Sequence, residues 1–125
     1  MLCSDIIRAV HAEPLVVSNE ERLTKDYKAA FASDLMSDAL ALIQDEFEHT
    51  ILITGLCNAQ VLRTAEMLDL ETVLFVRGKK LAGADLMMAQ SMDINLFTTT
   101  YTMYETCGIL YGQGLGSIST KPTLW

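Results

Sequence analysis

The chain alternates between short unbroken apolar runs and stretches in which apolar residues recur every third or fourth position. Ile51-Leu52-Ile53 and Val73-Leu74-Phe75-Val76 are runs of the first kind. Such runs are what strands show when helices cover both faces of a parallel sheet. Between them, Val61, Leu62, Ala65 and Leu68 fall at helical spacing, with Asn58 placed as a cap. A helix near Ala84 to Met92 follows, then the strand Leu96-Phe97-Thr98-Thr99. A last helix is predicted from Met103 to about Tyr111, opened by Thr102 and Glu105 in the Thr-x-x-Glu spacing of a capping box. The strands begin at residues 51, 73 and 96, and one helix fills each gap. That is a βαβ rhythm with right-handed crossovers.

The first fifty residues are less regular. Ser4 is placed to cap a short helix through about His11, with Ile6, Ile7 and Val10 on one face. Leu15-Val16-Val17 reads as a short strand, Ser18 to Asp26 as a charged surface loop, and Tyr27 to Ala32 as a second strand. Asp34 is placed to cap a helix with Met36, Ala39, Leu40 and Ile43 at core spacing, and Asp45 to His49 reads as a polar loop. At the other end, Gly112 and Gly114 are stop signals, and Gly116 to Trp125 shows no periodicity. The expected fold is one compact α/β domain over residues 1–115, a mainly parallel sheet flanked by helices, with a loose tail at 116–125.

Composition narrows the class. Half of the 125 residues are hydrophobic, enough to bury a core without staples. The net charge of −7 argues against sequence-independent nucleic-acid binding, which needs clustered cations. Three of the nine cations nevertheless fall together, at Arg77, Lys79 and Lys80. Cys3, Cys57 and Cys107 are odd in number and widely spaced, which suits a reducing cytoplasm better than a disulfide framework. No apolar run approaches the ~20 residues of a membrane span, and no basic-then-apolar leader opens the chain. A cytoplasmic protein with no membrane attachment is expected.

Candidate chemistry gathers at the carboxyl ends of the strands, where open α/β sheets bind ligands. Thr54 and Gly55 turn into a helix capped by Asn58, whose first N–H groups can hold an anion. The same turn serves equally as a plain tight connection. Arg77, Gly78, Lys79 and Lys80 can grip a phosphate or carboxylate, or form a solvated loop that balances an acidic surface. Ser33, Asp34 and Thr99 end two further strands. If these turns meet, hydroxyls and a carboxylate stand beside cations, a mixture that suits ribose and phosphate. No G-x-G-x-x-G or Walker A pattern is present. Cys57 precedes a helix N-terminus, but His49 lies at the far end of the strand, ~17–20 Å away. No nucleophile–base pair and no close-spaced metal ligands can be assembled, so neither an enzyme nor a cofactor or metal is expected.

Four segments carry a resemblance to a known family: FASDLMSD (Phe31 to Asp38), LITGLCNAQVLRTAEMLD (Leu52 to Asp69), LFVRGKK (Leu74 to Lys80) and YTMYETCGILY (Tyr101 to Tyr111). In this order they resemble the small stand-alone DRTGG-domain proteins. That family is similar in fold to the N-terminal domain of HPr kinase/phosphorylase, and related domains sit between CBS domains in some inorganic pyrophosphatases and inside some phosphate acetyltransferases. The Asp-Arg-Thr-Gly-Gly string itself is absent; Thr54-Gly55 is its nearest trace. The resemblance implies a regulatory module, often at a homodimer contact, with no chemistry of its own. It leaves two expectations. One is a sensor of a small anionic metabolite, nucleotide-like, at the carboxyl edge of the sheet. The other is a module without a small ligand that docks a partner enzyme or kinase through its acidic face and its last helix, with Tyr101, Tyr104 and Tyr111.

Overall fold

A computed structural model describes residues 1–118. Its elements are α1 (Cys3–Ala9), β1 (Glu13–Val17), β2 (Ala29–Ala32), α2 (Met36–Leu42), β3 (Thr50–Thr54), α3 (Ala59–Met67), β4 (Thr72–Phe75), α4 (Gly83–Gln90), β5 (Asn95–Thr98), α5 (Met103–Gly112) and β6 (Gly116–Ser117). They build one six-stranded sheet in the order β1-β5-β4-β3-β2-β6. The pairs β2–β3, β3–β4, β4–β5 and β2–β6 are parallel, and β1 alone runs antiparallel, against β5.

The alternation of side chains along the central strands makes two cores. Leu52, Val73, Phe75 and Leu96 face one side, where they bury Met36 and Ala39 of α2, Val61, Leu62 and Ala65 of α3, and Ala89 of α4. Ile51, Ile53, Leu74, Val76 and Phe97 face the other, against Cys3, Ile6 and Val10 near α1 and Leu110 of α5. Both faces of β3 and β4 are therefore covered, which is why their sequences read as continuous apolar runs. Asn58 caps α3 by accepting from the N–H groups of Gln60 and Val61, and Thr102 with Glu105 forms the expected capping box.

Several expectations need correction. The antiparallel β1 is longer than Leu15-Val16-Val17 and carries an irregularity between Pro14 and Val16. Ser4 does not cap α1, which begins after Leu2 with no side-chain cap. Within the predicted loop, Glu20–Thr24 winds into a 3-10 turn that lays Arg22 between Glu71 and Asp93. The polar segment before β3 is a second such turn, Gln44–His49. Leu40 was expected inside and is 36% exposed, because α2 presents only Met36 and Ala39 to the core. Tyr27 lies just outside β2, fully buried, with its hydroxyl 2.6 Å from that of Thr72. The stretch expected to be loose from Gly116 instead places Gly116 and Ser117 in β6, with Leu115 and Ile118 buried on either side. Residues 119–125 of that tail lie outside the described residues.

Among the described residues, α1 and α5 are the α-helices on the second face, and they leave the β2–β6 side of the sheet open. Ala32, at the end of β2, stays exposed and Ala30 half-exposed. This asymmetry shapes the site.

Candidate functional site at the carboxyl edge of the sheet

Parallel pairing of β2 to β5 brings their carboxyl ends to one edge, so Ser33-Asp34, Thr54-Gly55, Val76-Arg77-Gly78 and Thr98-Thr99 stand in a row. The centre of that row is Gly55. Its N–H donates to Asp34 Oδ1 at 2.6 Å, and the Thr54 hydroxyl donates to the same oxygen at 3.3 Å. Asp34 therefore does not cap α2, as the sequence suggested; it ties the end of β2 to the turn after β3. The Leu35 N–H bonds instead to the Ser33 hydroxyl, 3.0 Å away.

Arg77 also lies against Gly55. A Cβ placed on Gly55 would meet Arg77 Nη2 at 2.7 Å, Arg77 Nε at 3.3 Å and Asp34 Oδ1 at 3.2 Å. Only a residue without a side chain lets the guanidinium lie this close to the backbone. The turn that aims Arg77 is tight: Lys79 N–H donates to Val76 O at 3.3 Å, and Arg77 and Gly78 both take left-handed backbone, at φ 59° and 67°. For an L-residue such as Arg77 that conformation costs about 1–2 kcal/mol. It is held by bonds from Arg77 N–H to Tyr101 O and from Gly78 N–H to Thr99 O, each 2.8 Å.

Arg77 packs on Gly55, whereas Lys79 stands near the Cys57 thiol, among the residues of the α2–α3–α4 side. Arg77, Lys79 and Lys80 are all exposed, and none joins an ion pair among the described residues.

The remaining candidates divide between structure and access. Thr99 is 2% exposed, and its hydroxyl donates to Val10 O at 2.7 Å and accepts from Tyr101 N–H at 3.2 Å. It anchors the end of α1 and the start of the α5 approach. At the α3 N-terminus the N–H groups of Gln60 and Val61 go to Asn58, that of Leu56 to the Thr54 hydroxyl, and that of Gly55 to Asp34. The helix end thus spends most of its first donors internally.

Cys57 is not an activated thiol. Burial pushes it up to about 11, with Lys79 pulling back only in part. Cys3 is likewise raised to about 11 by burial. Both protons are held more tightly in the folded protein than at the ordinary value of 9.0, so their contribution to stability is intact below pH 9 and is lost as the pH climbs through about 11. At pH 7.5 the thiolate fraction of Cys57 is on the order of one in a thousand or less. Iodoacetamide should label it slowly at neutral pH, with a rate that climbs about tenfold per pH unit and keeps climbing past pH 9, where an ordinary thiol levels off. Rapid labelling at pH 7 would contradict this environment.

Beside the edge lies a feature that the candidate residues did not include. A groove of 640 Å³ runs between α5 and the open β2–β6 side of the sheet. Ala30, Ala32 and Ile53 line it from the sheet, and Tyr104, Gly108 and Tyr111 from the helix. The two tyrosines are 89% and 73% exposed. Among the described residues, no group of three or more His, Cys, Asp or Glu side chains is arranged to hold a metal, and no helix is long and apolar enough to cross a membrane.

No family model and no curated protein matches the chain. Among solved structures, it is similar to the CBS and DRTGG domains of the regulatory region of Clostridium perfringens pyrophosphatase, in complex with an activator, diadenosine tetraphosphate. The TM-score is 0.67 at 17% identity, covering 99% of this chain and 52% of that one. The fold is DRTGG-like. The chain spans about half the length of that neighbour, which is a regulatory region of its enzyme.

Proposed function

We propose that the protein is a ligand-sensing regulatory module of the DRTGG type, related to the N-terminal domain of HPr kinase/phosphorylase, which binds an anionic, nucleotide-like metabolite at the carboxyl edge of its sheet. The observation that carries the reading is Arg77. A strained turn holds an exposed guanidinium, free of any ion pair among the described residues, over Gly55 and beside Asp34. Such a fork suits bidentate capture of a phosphate, with Lys79 and Lys80 adding field strength from the same turn. The neighbour's complex with a nucleotide activator supports the ligand class. A ligand bridging these turns acts on a homodimer contact or a partner enzyme only by binding two states unequally.

The direct test is a calorimetric titration with diadenosine tetraphosphate and simpler nucleotides, run on the parent and on Gly55→Ala. The added methyl meets the far end of a flexible arginine, so the fold is expected to lose less than ~1 kcal/mol. The guanidinium must move, however, and nucleotide affinity is expected to fall about tenfold. An affinity unchanged in Gly55→Ala would remove Arg77 from the site.

A second reading is favoured by the exposure of Tyr104 and Tyr111 on α5. In that reading the last helix docks a partner enzyme without a small ligand. Partner binding would then survive neutralisation of Arg77, Lys79 and Lys80 and fail on Tyr104→Ala.

A further inference from the structure

The groove under α5 ends two residues along the chain from the Arg77 cluster. Ala30 and Ala32 of β2 and Ile53 of β3 line the groove, with Ala32 paired directly to Ile53. Two residues further along the chain, in the turns that follow these strands, stand Asp34 and Gly55, joined to each other and met by Arg77. Two residues of extended chain span at most about 7 Å, so the step from the groove floor to the cluster is short. Tyr101, whose carbonyl holds the Arg77 N–H, leads into α5 and closes the same corner from above.

The groove has the make-up of a slot for a flat ring. Tyr104, Gly108 and Tyr111 fall at i, i+4 and i+7, one face of the helix, with the glycine between two exposed aromatic rings. A Cβ on Gly108 would meet nothing within 4 Å, so the gap is open space and not a site of close packing. Among the described residues of the groove Glu105 alone is charged. Its Oε1 is used in the α5 capping box, and its other oxygen makes no hydrogen bond among the described residues. A neutral ring bearing an exocyclic amino group matches that acceptor; an anionic group does not.

We infer that the groove receives the nucleobase of a nucleotide whose phosphates lie at Arg77. This rests on the proposed anion site and adds to it which face of the sheet the ligand covers and what part of the ligand confers selectivity. Stacking on tyrosine is tolerant of base identity, whereas the Glu105 acceptor favours amino-bearing bases such as adenine over uracil. The span from a base to its 5′-phosphate is of the same order as the step from groove to cluster. Ribose then crosses the exposed end of β2 at Ala32.

The test separates the two parts. Adenosine triphosphate, uridine triphosphate and inorganic pyrophosphate are titrated calorimetrically into the parent, Gly108→Leu and Tyr104→Ala. Leucine at position 108 fills open space and replaces a mid-helix glycine, so Gly108→Leu is expected to unfold no lower than the parent. Tyr104→Ala removes one wall from an exposed position and guards against a folding defect in the first variant. The expected result is that the parent binds the adenine nucleotide about tenfold or more tighter than pyrophosphate, with the uracil nucleotide between them. Both variants lose that preference and keep the pyrophosphate affinity. If the parent binds adenosine triphosphate and pyrophosphate equally, or the variants keep the preference, the groove does not hold the base, although the anion site stands. If the parent binds neither, the anion site fails and the inference falls with it.

Discussion

Arg77→Gly is expected to yield a protein at least as stable as the parent that no longer responds to an anionic nucleotide. Two terms set the stability. Relieving the left-handed arginine gains about 1–2 kcal/mol, and the extra freedom of glycine in the unfolded chain returns about 0.5–1 kcal/mol. The turn keeps both backbone bonds, to Tyr101 and Thr99, because they come from main-chain N–H groups. The melting temperature of the free protein should stay level or rise by a few degrees. The ligand response, by contrast, loses a charge-assisted contact of about 1.5–3 kcal/mol, a factor of roughly 10 to 150 in affinity. A residue kept in a costly conformation for function behaves this way. One kept there only by the fold would leave binding unchanged. Thermal unfolding with and without nucleotide reads both quantities from the same samples.

Thr99→Val should do the reverse. Valine matches threonine in shape but leaves Val10 O without its donor and Tyr101 N–H without its acceptor, at a position 2% exposed. Each orphaned group costs about 1–3 kcal/mol when water cannot reach it. A total loss of about 2–4 kcal/mol lowers the melting temperature by roughly 8–15 °C in a domain of this size. The increment that a saturating nucleotide adds should nevertheless persist, since the hydroxyl is turned into the protein. Thr99 follows β5 at the carboxyl edge of the sheet, so its residue type alone gave it the same standing as Asp34 or Arg77. Its two internal bonds distinguish it. If Thr99→Val unfolds like the parent but loses the nucleotide increment, the hydroxyl belongs to the ligand.

How much of this was legible in the chain depended on range. The central strands showed themselves because helices bury both of their faces, and α3 and α5 showed their starts through Asn58 and the Thr102–Glu105 pair, all local signals. The antiparallel partnership of β1 with β5 was not visible, since its register joins Glu13 to Thr98 and no nearby residue encodes it. Asp34 looked like a cap because caps are local; its partner, Gly55, lies 21 residues away on the next strand. Similarly, β6 is two residues long, Gly116 and Ser117, too short to display any period. The row of strand-end turns was readable, but its division was not. Only the folded turn shows that Arg77 lies over Gly55 while Lys79 approaches Cys57. Tyr104, Gly108 and Tyr111 share a helical face in the sequence itself, and a glycine between aromatics at that spacing marks a notch.

In the function proposed, the carboxyl edge of the sheet senses an anionic nucleotide through its cationic turn. The most direct measurement is thermal unfolding of the parent and of the triple variant Arg77→Ala, Lys79→Ala, Lys80→Ala across a nucleotide concentration series. At 100 times the dissociation constant the parent should gain ~2.7 kcal/mol, several degrees, and the variant should gain nothing while unfolding cooperatively on its own. An equal gain in both proteins, or none in a well-folded parent at millimolar nucleotide, would contradict the claim and turn attention to the exposed face of α5 as a docking surface for a protein partner.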